Sequence, residues 1–183
     1  MKLISLCLAT LVAGLVAGPV GAADGTLNFI GKVVNGACKL EGAGDNGVIN
    51  VSMGDIPLSR LKNSQSGTGP AVGVDIRVKD CEKGTYCIVV DGPTPTGMPE
   101  HRVLALDGRG KPAGNVGILL TDRTGTPLSL DERIDPQHDP RIEIPVDGGS
   151  GTFRLKAFYY TWDKAHMDPG DGNATARFTI MQE

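Results

Sequence analysis

The chain has 183 residues, 40% of them hydrophobic and only 4% aromatic, with a formal net charge of −3. That size suits a single domain with a real core. The mild acidity, with no basic patch interleaved with aromatics, argues against a nucleic-acid partner and leaves solubility as the main consequence of charge.

Met1 and Lys2 make a short basic start, Leu3 to Val20 is an apolar run rich in Leu, Val and Ala, and small residues follow at Gly21, Ala22 and Ala23. This is the order of a secretory signal peptide. A membrane span is the competing reading, since the run approaches the ~20 residues a helix needs to cross. Gly14, Gly18 and Pro19 within it, and the small residues after it, favour cleavage. The cut is placed after Ala22, a cut after Ala23 being nearly as good. Residues 1–22 are therefore read as a leader and residues 23–183 as one mature, exported domain. Lys2 departs with the leader, which moves the net charge to about −4.

Ala23 to Val34 reads as a β-strand. Gly25, Leu27, Phe29, Gly31 and Val33 alternate with mostly polar Asp24, Thr26, Asn28 and Lys32, Ile30 and Val34 being the exceptions. Such period-2 alternation places one side on a buried face. A terminal strand of this kind buries that side in its own domain or in another molecule. Further strands are expected at Val48–Met53, Val72–Lys79, Tyr86–Val90, Arg102–Leu106, Val116–Thr121, Arg141–Val146, Thr152–Tyr159 and Ala174–Ile180. Gly, Pro, Asn and Asp fill the gaps, and no stretch shows a helical period. Many short strands with turns between them indicate an antiparallel β-sandwich of Ig-like type.

Cys7 leaves with the leader, so Cys38, Cys81 and Cys87 remain. A bridge from Cys38 to Cys81 would close a long loop and contribute about 4 kcal/mol on the chain-entropy account. Cys81 with Cys87 is the local alternative, and either choice leaves one thiol over. Zinc is a weaker third reading, because no second Cys or His pair stands at ligand spacing.

Candidates for catalysis or cofactor binding are poor. His101, His138 and His166 are scattered, with His138 in a Pro-flanked loop. G-R-G-K-P at 108–112 departs from the phosphate-loop pattern, with Pro112 where Ser or Thr is required. No G-x-S-x-G elbow is present. Asp168, Asp171 and Asn173 lack the spacing of an EF-hand loop. No catalytic, metal or cofactor residue is therefore assigned, and an enzyme is not expected.

Four blocks carry a resemblance. They are G-T-L-N-F-I-G-K-V-V-N-G-A-C at 25–38, V-D-I-R-V-K-D-C at 74–81, N-V-G-I-L-L-T-D-R-T-G-T-P-L-S-L at 115–130 and A-T-A-R-F-T-I at 174–180. Together they resemble subunits of chaperone–usher fimbriae, the type 1 pilin family. The resemblance implies an incomplete Ig-like sandwich lacking its last strand, completed by a donor strand from a neighbouring subunit. Residues 23–33 would be the donor extension and residues 34–183 the sandwich. Gly25, Leu27, Phe29 and Gly31 would enter the neighbour's groove. Cys38 and Cys81 would form the disulfide, leaving Cys87 as the extra thiol. Phe178 and Ile180, on the closing strand, would flank the groove and meet the chaperone.

The partners implied are neighbouring pilus subunits, a periplasmic chaperone and an outer-membrane usher. The location is the cell-surface fimbrium, reached through the periplasm, where the fibre supports adhesion. Two details depart from the family. Gln182 stands where a tyrosine is usual, and the stretch from Ala23 to Cys38 is short, which leaves shaft and tip roles both open. The alternative is a self-contained exported carbohydrate-binding β-sandwich. An exposed aromatic platform for that role is hard to build, Trp162 being the single tryptophan.

Overall fold

A computed structural model of the chain describes residues 25–34, 38–43, 47–98, 101–107, 110–130, 139–145 and 148–183. The leader, its cleavage site and His138 lie outside these residues. The elements are β1 (Thr26–Val34), β2 (Lys39–Glu41), β3 (Val48–Ser52), α1 (Leu58–Asn63), β4 (Val72–Cys81), β5 (Gly84–Asp91), β6 (Val103–Ala105), β7 (Val116–Thr121), β8 (Arg141–Ile144), β9 (Gly149–Thr161) and β10 (Ala174–Gln182). They form two five-stranded sheets, ordered β3-β1-β10-β5-β8 and β2-β4-β9-β7-β6.

Alternation decides which side chains fill the space between the sheets. In β4, Val74, Ile76 and Val78 are buried while Asp75, Arg77 and Lys79 are exposed, and in β9 Phe153, Leu155, Ala157 and Tyr159 point inward. β10 contributes Ala174, Ala176, Phe178 and Ile180. β5 departs from alternation, since Tyr86 through Val90 are all buried. Cys38 and Cys81 are joined in a disulfide across 43 residues, tying the start of β2 to the end of β4. Cys87, on β5, is a free and buried thiol. Burial pushes its pKa up, and the nearby Glu183 carboxylate adds to the shift.

Three features differ from the sequence expectation. The sandwich is not wholly antiparallel: β1 pairs with β10 in parallel, from Leu27 opposite Ala174 to Val34 opposite Met181. Alternation reports which face is buried but carries no information about strand direction. A helical turn, α1, plugs one end with Leu61, which is fully buried. Six residues present too little of a helical period to be read from pattern. The three-residue β2 is likewise too short to leave an alternation signal.

The turn after β7 is fastened by one carboxylate. Asp122 accepts hydrogen bonds from the Thr124 hydroxyl at 2.7 Å and from the amides of Gly125 and Thr126 at 2.7 and 2.8 Å. Desolvation works to raise its pKa, but these hydrogen bonds outweigh it and hold the carboxyl below its ordinary value. Stability from this turn is therefore present above the unfolded-state carboxylate range and is lost as pH falls through the lowered folded value. Asp122→Ala is expected to cost about 1 kcal/mol near neutral pH and to flatten the acid limb of the stability–pH curve. Identical acid limbs for the variant and the parent would remove Asp122 from this role.

Candidate functional site: the groove that holds the first strand

β1 lies between β3 and β10, in parallel with β10 and antiparallel to β3. Along the β1–β10 register, large stands opposite small. Leu27 faces Ala174, Phe29 faces Ala176 and Gly31 faces Phe178. Leu27 and Phe29 are fully buried, while Ile30, one residue on, is 41% exposed. Phe29 and Phe178 pack as a tilted aromatic pair with ring centroids 6.3 Å apart, within the favourable range for such contacts.

The two glycines of this face have steric causes. A Cβ on Gly31 would lie 1.9 Å from Cζ of Phe178, and one on Gly25 would lie 1.3 Å from the Tyr159 hydroxyl oxygen. Phe178 and Tyr159 are buried core rings, so neither can swing aside cheaply. The Gly25 end is also fastened by backbone bonds: the Met53 amide donates to Gly25 O at 2.8 Å, and the Thr26 amide donates to Asn173 Oδ1 at 2.8 Å. Midway, Asn28 keeps a buried side-chain carbonyl oxygen without a hydrogen-bond partner.

Beyond the Gly25 end the apolar line does not stop. A cavity of about 510 Å³ opens there, walled by Ile56, Leu58, Leu61, Val116, Tyr159 and Gly172. At the other end, the chain terminus is fixed to the β5–β8 edge. Arg141 donates from Nε and Nη2 to the Glu183 carboxylate, at 3.0 and 2.7 Å, and the Glu183 amide bonds Thr85 O. Hydrogen bonding from Arg141 holds the Glu183 carboxyl below its ordinary value. Gln182 donates to Lys83 O at 3.0 Å.

The sequence profile of the fimbrial protein family matches residues 27–181, a span that takes in the groove and both of its bordering strands. The chain belongs to the fimbrial protein family. Among similar curated proteins, a type-1 fimbrial protein subunit of Serratia marcescens is 32% identical over 182 residues, covering 98% of each chain. The type-1 fimbrial protein A chain of Escherichia coli is 31% identical, covering 90% of this chain and 86% of its own. The crystal structure of the P pilus rod subunit PapA shares the fold, with a TM-score of 0.59 at 17% identity, over 80% of this chain and 99% of that one. These relatives are structural fimbrial subunits, not enzymes.

Within this fimbrial fold, the structure brings Gly25, Leu27, Phe29 and Gly31 together with Phe178 in one groove, Ile180 continuing the same inward face of β10. The groove is this chain's own, whereas the resemblance implies a neighbour's. Tyr159, Ala174 and Ala176 complete the groove and were not assigned to it from sequence. Ala174 and Ala176 look like undistinguished strand residues until the register sets them against Leu27 and Phe29.

The two described histidines, His101 and His166, bond elsewhere than in this groove. His101 shares a hydrogen bond with Thr94, and exposed His166 pairs with Asp163 at 2.7 Å. Among the described residues no group of three or more His, Cys, Asp or Glu side chains is arranged to hold a metal ion. Phe158 and Tyr160 lie half-buried on the outward face of β9, with Trp162 just past its end.

Proposed function

We propose that this chain is a structural subunit of a chaperone–usher fimbria that polymerises by donor-strand exchange. In this reading β1 leaves its own groove and fills that of a neighbouring subunit, so that residues 23–33 become the connector of the fibre. The observation that carries the reading is the position of β1. It is the first strand among the described residues, and it supplies two fully buried anchors, Leu27 and Phe29, to the core. Its removal would uncover a groove lined by Ala174, Ala176, Phe178 and Tyr159, with an unpaired sheet edge on β10 that would template aggregation.

Strand addition is the physical means: main-chain hydrogen bonds supply affinity and alternate side-chain pockets supply specificity. A periplasmic chaperone would occupy the groove first, in contact with Phe178 and Ile180 on β10, and an outer-membrane usher would be the place of exchange. The assembled fibre at the cell surface would support adhesion. Leu27 and Phe29 bury roughly 1.5–3 kcal/mol each, less than the ordering of a nine-residue strand costs at about 1–2 kcal/mol per residue. The hydrogen-bonded ladders on both sides of β1 must therefore contribute, and they would do so equally in a neighbour's groove.

The second reading is a self-contained exported carbohydrate-binding module whose first strand permanently completes its own sandwich, a state that the closed position of β1 also fits. Expression in the periplasm separates the two. The chain lacking residues 23–33 is expected to aggregate alone and to become soluble with a matching fimbrial chaperone, and residues 23–183 are expected to form fibres when chaperone and usher are supplied. A full-length chain that stays monomeric with both present would sink the subunit reading.

A further inference from the structure

A second cavity, of about 470 Å³, opens where the end of β5 and the first half of β10 meet the chain leaving β6. Its walls are Asp91, Gly92, Pro93, Asp107, Thr175 and Arg177, none of them on β1. Whichever strand completes the sandwich, these walls belong to one chain. Arg177 and Asp91 stand directly opposite in the β10–β5 register, a placement at which opposite charges can pair. They do not: among the described residues neither side chain makes an ion pair or a hydrogen bond. Asp107 is half used. The Thr175 hydroxyl donates to its Oδ2 at 3.0 Å, and the other carboxylate oxygen has no donor among the described residues.

The backbone that carries these groups is fixed on both sides. The Ala105 amide donates to Pro93 O at 2.7 Å, and the Asp107 amide donates to Asn173 O at 2.6 Å. The segment after β5 is thereby tied to β6, and the segment after β6 to the approach of β10. Unused donors and acceptors on a fixed frame leave little ordering to be done when a ligand arrives.

We propose that this cavity is a saccharide-binding site. Asp91 and Asp107 accept hydrogen bonds from sugar hydroxyls, Arg177 donates to sugar oxygens, and Pro93 offers its ring to the C–H face. A sugar hydroxyl both donates and accepts, so it uses carboxylate and guanidinium together. Other ligand classes fit worse. An anion would meet two carboxylates, and a metal ion would find a guanidinium among its neighbours. The volume lies within the range of small-molecule sites, whose orientation is set by a few placed polar groups. Hydrogen bonds take the part that an aromatic platform would otherwise play. On the subunit reading, repetition of the site along a fibre would turn weak single contacts into avidity, but the site itself does not depend on that reading.

The test is a titration of isotope-labelled protein, purified after export of the full chain, with backbone amide shifts as the readout. Methyl mannoside, methyl galactoside and N-acetylglucosamine are the probes, with glycine as a zwitterion and inorganic phosphate as an anion for comparison. At least one sugar is expected to move the amides of Gly92, Asp107, Thr175 and Arg177 saturably, with a dissociation constant in the millimolar range. Asp91→Asn, Asp107→Asn and Arg177→Gln should each weaken binding at least about tenfold. Asp163→Asn, which alters a carboxylate paired with His166 elsewhere, should leave binding unchanged.

No saturable shift with any of the three sugars would overturn the site. So would sugar shifts that persist in the variants, or glycine or phosphate moving the same amides at lower concentration than any sugar. Arg177 is exposed, so Arg177→Gln keeps the test open if a carboxylate variant fails to fold. Fibre assembly is scored separately. Sugar binding by a chain that never forms fibres supports the site and removes the subunit reading, while fibres without sugar binding do the reverse.

Discussion

Phe29→Ala is expected to lower the unfolding free energy of the isolated chain of residues 23–183 by about 3–5 kcal/mol, the range for truncating a fully buried aromatic side chain. Phe29 is 0% exposed and packs against Phe178 and the alanine at 176. Removing its ring leaves a void that neither small β10 neighbours nor the opposite sheet can fill without backbone movement. Domains of this size are stable by only about 5–15 kcal/mol, so the variant is expected to sit near its unfolding threshold. Ile30→Ala is the matched control. That side chain is 41% exposed on the other face of the same strand, and its loss should cost no more than about 0.5 kcal/mol.

Urea unfolding of both variants decides the matter. Equal effects at 29 and 30 would mean that β1 does not occupy this groove in the free chain. The same substitution bears on assembly. On the proposed exchange reading, a donor strand lacking its larger anchor should fill a neighbour's groove as poorly as its own, so Phe29→Ala subunits are expected to form few fibres when chaperone and usher are supplied.

The inward face of β1 was readable from residue spacing, because alternation encodes burial directly. So were most of the remaining strands: Val72–Lys79 lies within β4, Val116–Thr121 coincides with β7 and Ala174–Ile180 lies within β10. What alternation could not convey was pairing. Nothing in the spacing of Leu27 and Phe29 says whether they meet Ala174 and Ala176 of the same chain or of another, or that β1 and β10 run in parallel. The reason for Gly31 was equally hidden, since it lies in a ring of Phe178, a residue 147 positions away along the chain and one strand away in space. The sequence signal that could have found it is reciprocal: glycine and alanine on one strand matched, in register, by phenylalanine and leucine on the other.

Removing the disulfide by the double replacement of Cys38 and Cys81 with alanine is expected to cost about 4 kcal/mol, from the entropy that a 43-residue loop regains in the unfolded chain. The native connection makes this loss structural as well as entropic. β2 is only three residues long and forms the edge of its sheet, pairing among the described residues with β4 alone, through Lys39–Lys79, Leu40–Val78 and Glu41–Arg77. So short an edge strand holds its place weakly by hydrogen bonds alone. The bridge immediately before it therefore fixes where the chain crosses from the β1 sheet to the β2 sheet, and with it the point at which β1 must end. Cys87→Ala should have a smaller effect, because that thiol is not part of a bridge.

Thiol titration of residues 23–183 provides the accompanying check. No reactive thiol is expected in the folded oxidised protein, one after denaturation and three after denaturation with reductant. A thiol that reacts at Cys38 without reductant, or a stability unchanged by the double replacement, would remove the bridge from this role.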